Sequence, residues 1–282
     1  MMRILLILTA LALAGCDADV SIDTPPQLVV EGWIESGWPP KVILTRSFTV
    51  NAGIKYKKDD LQSSIARGAR VYVSDGEDSV RLSGKWDFDY FPPYVYTTGR
   101  MIGEEGKTYR LTVDYDGFHA EAATTIPSAP DSVRFRASAV DADTAACQIS
   151  VAFKNNPDEG CGYVCFLNSD VASQQLYASY LGVVDGANMS ADAEVPMFRP
   201  HHSGEKNYSL YYSSSDTVHA KISSVDEASF AFWSDFQTVG SLSQIMFFSA
   251  NHSLRSNVAG ALGYWCGMGS VSDWFIVRER LE

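Results

Sequence analysis

Positive charge is what this sequence has least of: 22 Lys and Arg stand against 34 Asp and Glu in 282 residues, a formal net charge of −12. No basic patch interrupts that balance. A protein that grips nucleic acid must neutralise runs of phosphate, so nucleic acid is excluded as a partner. Long apolar runs are also scarce. The run at residues 4–13 rises only about 15 Å as a helix, against roughly 30 Å of bilayer core, and later apolar stretches are broken by Ser, Gly, Asp or Lys every few residues. Histidines are few and scattered, at His119, His201, His202, His219 and His252, and the Cys/His spacings match no familiar zinc cluster. A Gly-x-Ser-x-Gly nucleophile turn is missing, and His201-His202 lacks the Glu and the helical spacing of a metalloprotease. What is there is an ordinary globular composition, 46% hydrophobic and 20% charged, long enough for two domains.

The N-terminus carries the sharpest signal. Met1, Met2 and Arg3 form a short positive region, the apolar run follows, and Leu13-Ala14-Gly15-Cys16 ends it. That order reads as a secretory signal peptide over residues 1–15. Its last four residues resemble the bacterial lipobox, in which small side chains admit the signal peptidase to the bond before a cysteine whose thiol is acylated. The resemblance implies that Cys16 is lipidated and opens the mature chain. Two or three acyl chains make a stable anchor, at about 0.8 kcal/mol per buried methylene. Residues 16–27 then read as a tether, with Asp17, Asp19 and Asp23 behind the Cys and Pro25-Pro26 at its end. Such an acidic stretch resembles the surface-export signal of Bacteroidota lipoproteins; a plain solvated tether is the competing reading.

With Cys16 acylated, Cys147, Cys161, Cys165 and Cys266 remain, an even set that suits two disulfides in an oxidising compartment. If 161–165 is extended, Cys161 and Cys165 lie about 13 Å apart at roughly 3.3 Å per residue, beyond disulfide reach. Each is then expected to pair with Cys147 or Cys266. Reduced, buried cysteines are the alternative.

Elsewhere the pattern is β. Short β-branched and aromatic runs at 28–34, 41–48, 69–74, 80–83, 94–98, 108–114 and 118–125 predict a β-sandwich domain over 28–127. Ser36-Gly37, Asp75-Gly76 and Asp116-Gly117 supply turns, and 51–68 reads as a long polar connection. Pro127 and Pro130 stop strand pairing and mark a boundary. After it, 131–282 reads as a second β-rich domain, with strands at 132–140, 147–153, 163–167, 175–184, 208–212, 218–223, 244–250 and 274–278. One helix is expected at about 224–240. Ser224-Val225-Asp226-Glu227 has the form of a capping box, and Phe232, Trp233, Phe236 and Val239 recur at helical spacing before Gly240. That aromatic stripe is expected to pack on a sheet. Residues 251–269, rich in Gly and Asn, read as an irregular loop or a tight-cornered strand.

Six aromatics fall within the eleven residues from Trp86 to Tyr96, interleaved with Asp and broken by Pro92-Pro93. Aromatic faces beside carboxylates suit stacking on sugars or packing on peptides, so Trp86, Phe88, Tyr90, Phe91, Tyr94 and Tyr96 are the candidate binding residues. The alternative is that they fill the sandwich core. Trp86, Phe88 and Tyr90 alternate, which in a strand would point all three to one side. Asp87 and Asp89 would then sit about 6.6 Å apart, as any Asp-x-Asp strand places them, so they carry no glycosidase signal of weight. Asp185, Asn188, Ser190, Asp192 and Glu194 make an oxygen-rich stretch, but Gly186 is misplaced for a calcium loop and a solvated loop is preferred. No catalytic residue, metal or cofactor is expected.

Taken in order, Leu28-Val29-Val30-Glu31-Gly32-Trp33-Ile34, Val42-Ile43-Leu44-Thr45-Arg46-Ser47, Ala69 to Gly76, Gly106 to Val113 and Ala123-Thr124-Thr125-Ile126-Pro127 resemble domain-of-unknown-function family 4249. Phe230 to Gln237 and Ser256-Asn257-Val258 with the glycines after it match that family's C-terminal pattern; Cys161, Cys165 and Cys266 depart from it. The N-terminal half is also similar to transthyretin-like and immunoglobulin-like sandwiches. The family resemblance implies a Bacteroidota lipoprotein of the outer membrane beside a TonB-dependent receptor, and the acidic stretch behind Cys16 implies that it faces the cell surface. It brings no catalytic residues. The expected function is a non-enzymatic accessory or binding component in uptake of a nutrient, peptide or glycan; a structural or adhesive surface lipoprotein is the alternative, and a hydrolase the third.

Overall fold

The computed structural model describes residues 25–47, 62–141, 145–155, 162–173, 175–200, 208–242 and 254–282. Cys16, Cys161 and the strand expected at 244–250 lie outside them. As the sequence pattern predicts, the described chain is mainly β. Its strands are β1 (Leu28–Glu35), β2 (Lys41–Arg46), β3 (Arg70–Ser74), β4 (Ser79–Trp86), β5 (Tyr94–Thr97), β6 (Thr108–Tyr115), β7 (Phe118–Thr125), β8 (Asp131–Ala139), β9 (Ala146–Lys154), β10 (Gly162–Asn168), β11 (Tyr177–Asp185), β12 (Asp192–Met197), β13 (Tyr212–Ser213), β14 (Thr217–Val225) and β15 (Leu262–Ile276), with helix α1 (Glu227–Leu242) before the last.

Two sandwiches share one large sheet, ordered β11-β10-β14-β15-β1-β2-β5-β4-β3-β6-β7. The first sandwich forms because that sheet folds over at β4. Residues 79–82 of β4 pair with β3 and residues 83–86 pair with β5, so β3, β6 and β7 close over β1, β2 and β5. Between the layers lie Leu28, Val30, Ile34, Val42, Leu44, Val71, Leu82, Tyr109, Leu111 and Val113, all buried. The second sandwich sets β10, β14 and the end of β15 against a small sheet in which β9 pairs with β8, β12 and β13.

The boundary expected at 127–131 is crossed by β15. Its first half runs parallel to β1, from Val29↔Leu262 to Glu35↔Met268, and its second half runs antiparallel to β14. Fifteen extended residues reach about 50 Å, enough to serve both cores. Alternation then sorts the side chains. Trp265 enters the first core, Val271 and Phe275 face the second, and Tyr264, Cys266 and Met268 turn to the outer face, where α1 lies. Gly263 permits the strand to start against β1: it has a φ of +103°, and an added Cβ would stand 1.9 Å from the Val30 carbonyl oxygen. Residues 262–269 thus take the strand alternative of the stretch expected as an irregular loop or a tight-cornered strand.

Helix α1 begins later than the capping box suggests. Ser224 belongs to β14, and Asp226 is the cap, its Oδ1 accepting from Ser229 N at 2.9 Å. The other oxygen of Asp226 accepts from Thr124 Oγ1 at 2.6 Å and Thr125 N at 3.1 Å, which fastens the helix start to β7. Phe232 and Trp233 pack into the outer-face core, as their spacing predicts. Strand β12 arises where a solvated loop is expected, because Ala193, Val195 and Met197 alternate inward between Asp192, Glu194 and Pro196.

Candidate binding site

Period-two geometry turns Glu31, Trp33 and Glu35 of β1 away from the first core. They meet Lys41 and Ile43 of β2, Lys221 and His219 of β14, and Tyr264 and Met268 of β15 on the outer face of the large sheet. Phe166, Trp233 and Trp38 wall the space between them, and Tyr90, Gln175 and Leu176 complete its lining; the cavity measures about 200 Å³.

Charge in this cavity is dense and sheltered. Lys221 Nζ donates to Glu35 Oε2 at 3.1 Å, with side-chain exposures of only 9% and 15%. The same ammonium stands 4.8 Å from the centroid of Phe166. Tyr264 donates its hydroxyl to Glu31 Oε1 at 3.3 Å. Burial pushes the Glu31 carboxyl above its ordinary range, with the Tyr264 bond acting the other way. Lys41 Nζ donates to the Tyr90 hydroxyl at 2.5 Å, and burial lowers the pKa of this lysine against the pull of Glu35 and Asp87. Burial, then Asp87 and Asp89, drive the Tyr90 hydroxyl up to about 12. His219 stacks on Trp274 at 4.5 Å, and burial followed by Lys221 lowers its pKa, so the ring is neutral at pH 7.

A second hollow of about 450 Å³ adjoins the cavity and shares Tyr90 and Gln175 with it. Phe88, Phe91, Pro92, Pro93 and Tyr177 give it an apolar lining. The strand expected to carry Trp86, Phe88 and Tyr90 to one side stops at Trp86. Residues 87–93 form a tight loop instead, in which Asp87 Oδ1 accepts from Asp89 N at 3.3 Å and Tyr90 N donates to Asp87 O at 3.3 Å. The two carboxylates are therefore not side by side on a strand face; Asp87 pairs with Lys85 at 3.3 Å.

That loop divides the six candidate aromatics. Tyr96 is core, 2% exposed, donating to Ala66 O at 2.6 Å and accepting from Ala69 N at 3.0 Å. Tyr94 packs against it edge-on at 5.5 Å. Tyr90 turns to the cavity, 5.8 Å from Trp33. Phe88, Phe91 and Trp86 are left 83%, 55% and 48% exposed, with Trp86 and Phe88 stacked at 6.2 Å.

The family model described as "Domain of unknown function (DUF4249)" matches residues 16–273. The chain belongs to that family. No curated protein matches it. A similar solved structure is the crystal structure of bovine butyrophilin, 9% identical, with 71% of this chain and 92% of that one covered and a TM-score of 0.21; the sandwich assignment rests on the strand pairing above.

In this DUF4249 chain the described cysteines take the reduced, buried alternative, and Cys161, a partner in one of the expected disulfides, lies outside the described residues. Cys147, Cys165 and Cys266 are free and buried. Cys165 lies in the second core and Cys266 on the opposite face of the same sheet, so the sheet itself separates them. Burial pushes both thiols up to about 12, which makes them packing residues and not nucleophiles. Among the described residues no group of His, Cys, Asp and Glu is placed to hold a metal. Asp192 pairs with Lys154, and Asp185 accepts from Ala187 N and Asn188 Nδ2, so the oxygen-rich stretch is engaged with its own neighbours.

Glu31, Glu35, Lys41 and Lys221 are functional candidates that sequence reasoning missed. A signal existed: Ala220-Lys221-Ile222 sets a lysine inside an apolar strand, and Lys is almost never buried without a partner.

Proposed function

We propose that this DUF4249 protein is a lipid-anchored, non-enzymatic binding component of a TonB-dependent uptake system at the outer-membrane surface. The observation that carries the reading is the set of three exposed rings, Trp86 at the end of β4 and Phe88 and Phe91 on the loop that follows it. Exposed aromatics beside an apolar hollow supply contact area at small entropic cost, as binding anchors do. The hollow leads to a sheltered polar cavity through Tyr90 and Gln175, which suits a small cargo held by its polar end. Cys16 behind small residues, and a family match that starts at residue 16, support the anchor.

The test is to isolate the tagged lipoprotein in mild detergent from native outer membranes and identify what is retained by mass spectrometry. A TonB-dependent receptor in near-equal amount is the expected result. Recovery of the lipoprotein alone would overturn the uptake role and leave the adhesive or structural reading. Replacing Phe88 and Phe91 together by Ala should abolish receptor or cargo binding while stability changes by no more than about 0.5 kcal/mol per site, since these side chains are surface groups; Trp86→Ala should cost more, because its ring packs edge-on against Tyr94 at 5.3 Å.

A further inference from the structure

Two acids and two lysines line the inner cavity. Glu35 and Lys221 satisfy each other at 3.1 Å. Glu31 and Lys41 remain, each with a tyrosine hydroxyl as its hydrogen-bond partner, Tyr264 for the acid and Tyr90 for the amine. No ion pair joins them among the described residues. In the β1–β2 register Glu31 is opposite Ile43 and Lys41 is opposite Trp33, so the two are diagonal neighbours on one face, about 7–8 Å apart along the sheet. A charge withdrawn from water is unfavourable until an opposite charge meets it.

We propose that this cavity binds a free α-amino acid, its ammonium group on Glu31 and its carboxylate on Lys41, with the side chain directed to the aromatic hollow. This deepens the uptake reading by naming its cargo. Only a ligand carrying both charges answers both residues. An amine or a simple cation would leave Lys41 with no carboxylate in contact, since Glu35, Asp87 and Asp89 act on it only from a distance, a carboxylate or phosphate would leave Glu31 without a cation, and a sugar would leave both. Size is compatible: a cavity of about 200 Å³ takes the charged end, and the adjoining hollow of about 450 Å³ takes the side chain. Burial, which raises the Glu31 pKa and lowers that of Lys41, is the condition under which an arriving opposite charge gains most.

Isothermal titration of the full-length lipoprotein at pH 7 tests this, with L-leucine and L-phenylalanine as probes beside N-acetyl-L-leucine, L-leucine methyl ester and glucose. At least one free amino acid should bind, either blocked derivative should bind about tenfold or more weakly, and glucose should not bind. Glu31→Gln should weaken L-leucine to the level of its N-acetyl derivative, and Lys41→Met to the level of its methyl ester. Blocked ligands probe the same contacts on the unaltered protein, so the result stands even where a variant does not fold. Equal affinity for free and blocked forms, binding of glucose in their place, or no heat with either amino acid would overturn the proposal. A receptor that co-purifies with a protein binding neither amino acid would keep the uptake reading and overturn this one; amino-acid binding without a receptor would do the reverse.

Discussion

The two faces of β1 are built to different ends. Leu28, Val30, Gly32 and Ile34 face the first core, where packing is so close that a Cβ on Gly32 would stand 2.8 Å from Trp265 Cε3. Glu31, Trp33 and Glu35 face the other way, into a cavity holding sheltered charge. One face is filled to the density of a protein interior. The other keeps room and withdraws two acids from water, which a fold selected for stability alone would avoid. Strand β15 repeats the division, with Trp265 inside and Tyr264 and Met268 outside. Stability and the candidate site are thus separated by the strand period and not by domain, and each can be perturbed with little direct contact with the other.

The largest break in that comparison should come from the packed face. Trp265→Ala removes a fully buried ring and leaves the Tyr109 carbonyl without the indole N–H that reaches it at 2.9 Å. A loss of about 3–5 kcal/mol is expected, read from the urea midpoint. Because β15 serves both sandwiches, tryptophan fluorescence and far-ultraviolet circular dichroism should lose structure in a single transition; two separate transitions would show that the cores fold independently. On the cavity face, Lys221→Met strands Glu35 and should cost about 3 kcal/mol, the lower part of the range for a broken buried pair because the cavity admits some water. Glu35→Leu with Lys221→Met should recover most of that loss. A double variant no more stable than the single one would mean that Lys221 acts through its stem packing on Phe166 and not through the pair.

How far the sequence could reveal this division follows from the range of each signal. Strands β1 to β7 were legible because each is a short β-branched or aromatic run bounded by turn residues, with Gly37, Gly76 and Gly117 at positive φ where hairpin signals stand. Helix α1 was legible from Phe232 and Trp233, although its cap passed from Ser224 to Asp226 once β14 claimed Ser224. Strand β15 was not legible as one element. Its glycines Gly263, Gly267 and Gly269 read locally as breaks, yet an added Cβ on each would come within 2.8 Å of backbone from Val30, Thr125 or Pro127. They are there for close approach of distant chain, which no local window contains. The aromatic loop was visible as composition, but composition did not separate Tyr96 in the core from Phe88 outside it. Glu31, Lys41 and Lys221 converge only through the β2-β1-β15-β14 pairing, so their meeting belongs to topology.

The smallest effect is the most discriminating, because it has a sign. Burial raises the pKa of Glu31 above its ordinary value of 4.5, so the folded protein holds this proton more tightly than the unfolded chain does. Stability from this group is therefore full below the unfolded value and is lost as pH rises through the folded one. Glu31→Gln keeps the shape and the Tyr264 contact without the charge. Thermal midpoints of wild type and variant should nearly coincide at pH 4 and separate as pH rises, with the variant the more stable at pH 7. A variant less stable than wild type at pH 7 would mean that the acid is held comfortably by its neighbours, and the contrast between the faces of β1 would fail there. If the expected order holds while amino-acid binding falls, one side chain will have been shown to oppose folding and to favour binding, which is the trade that separates a binding surface from a core.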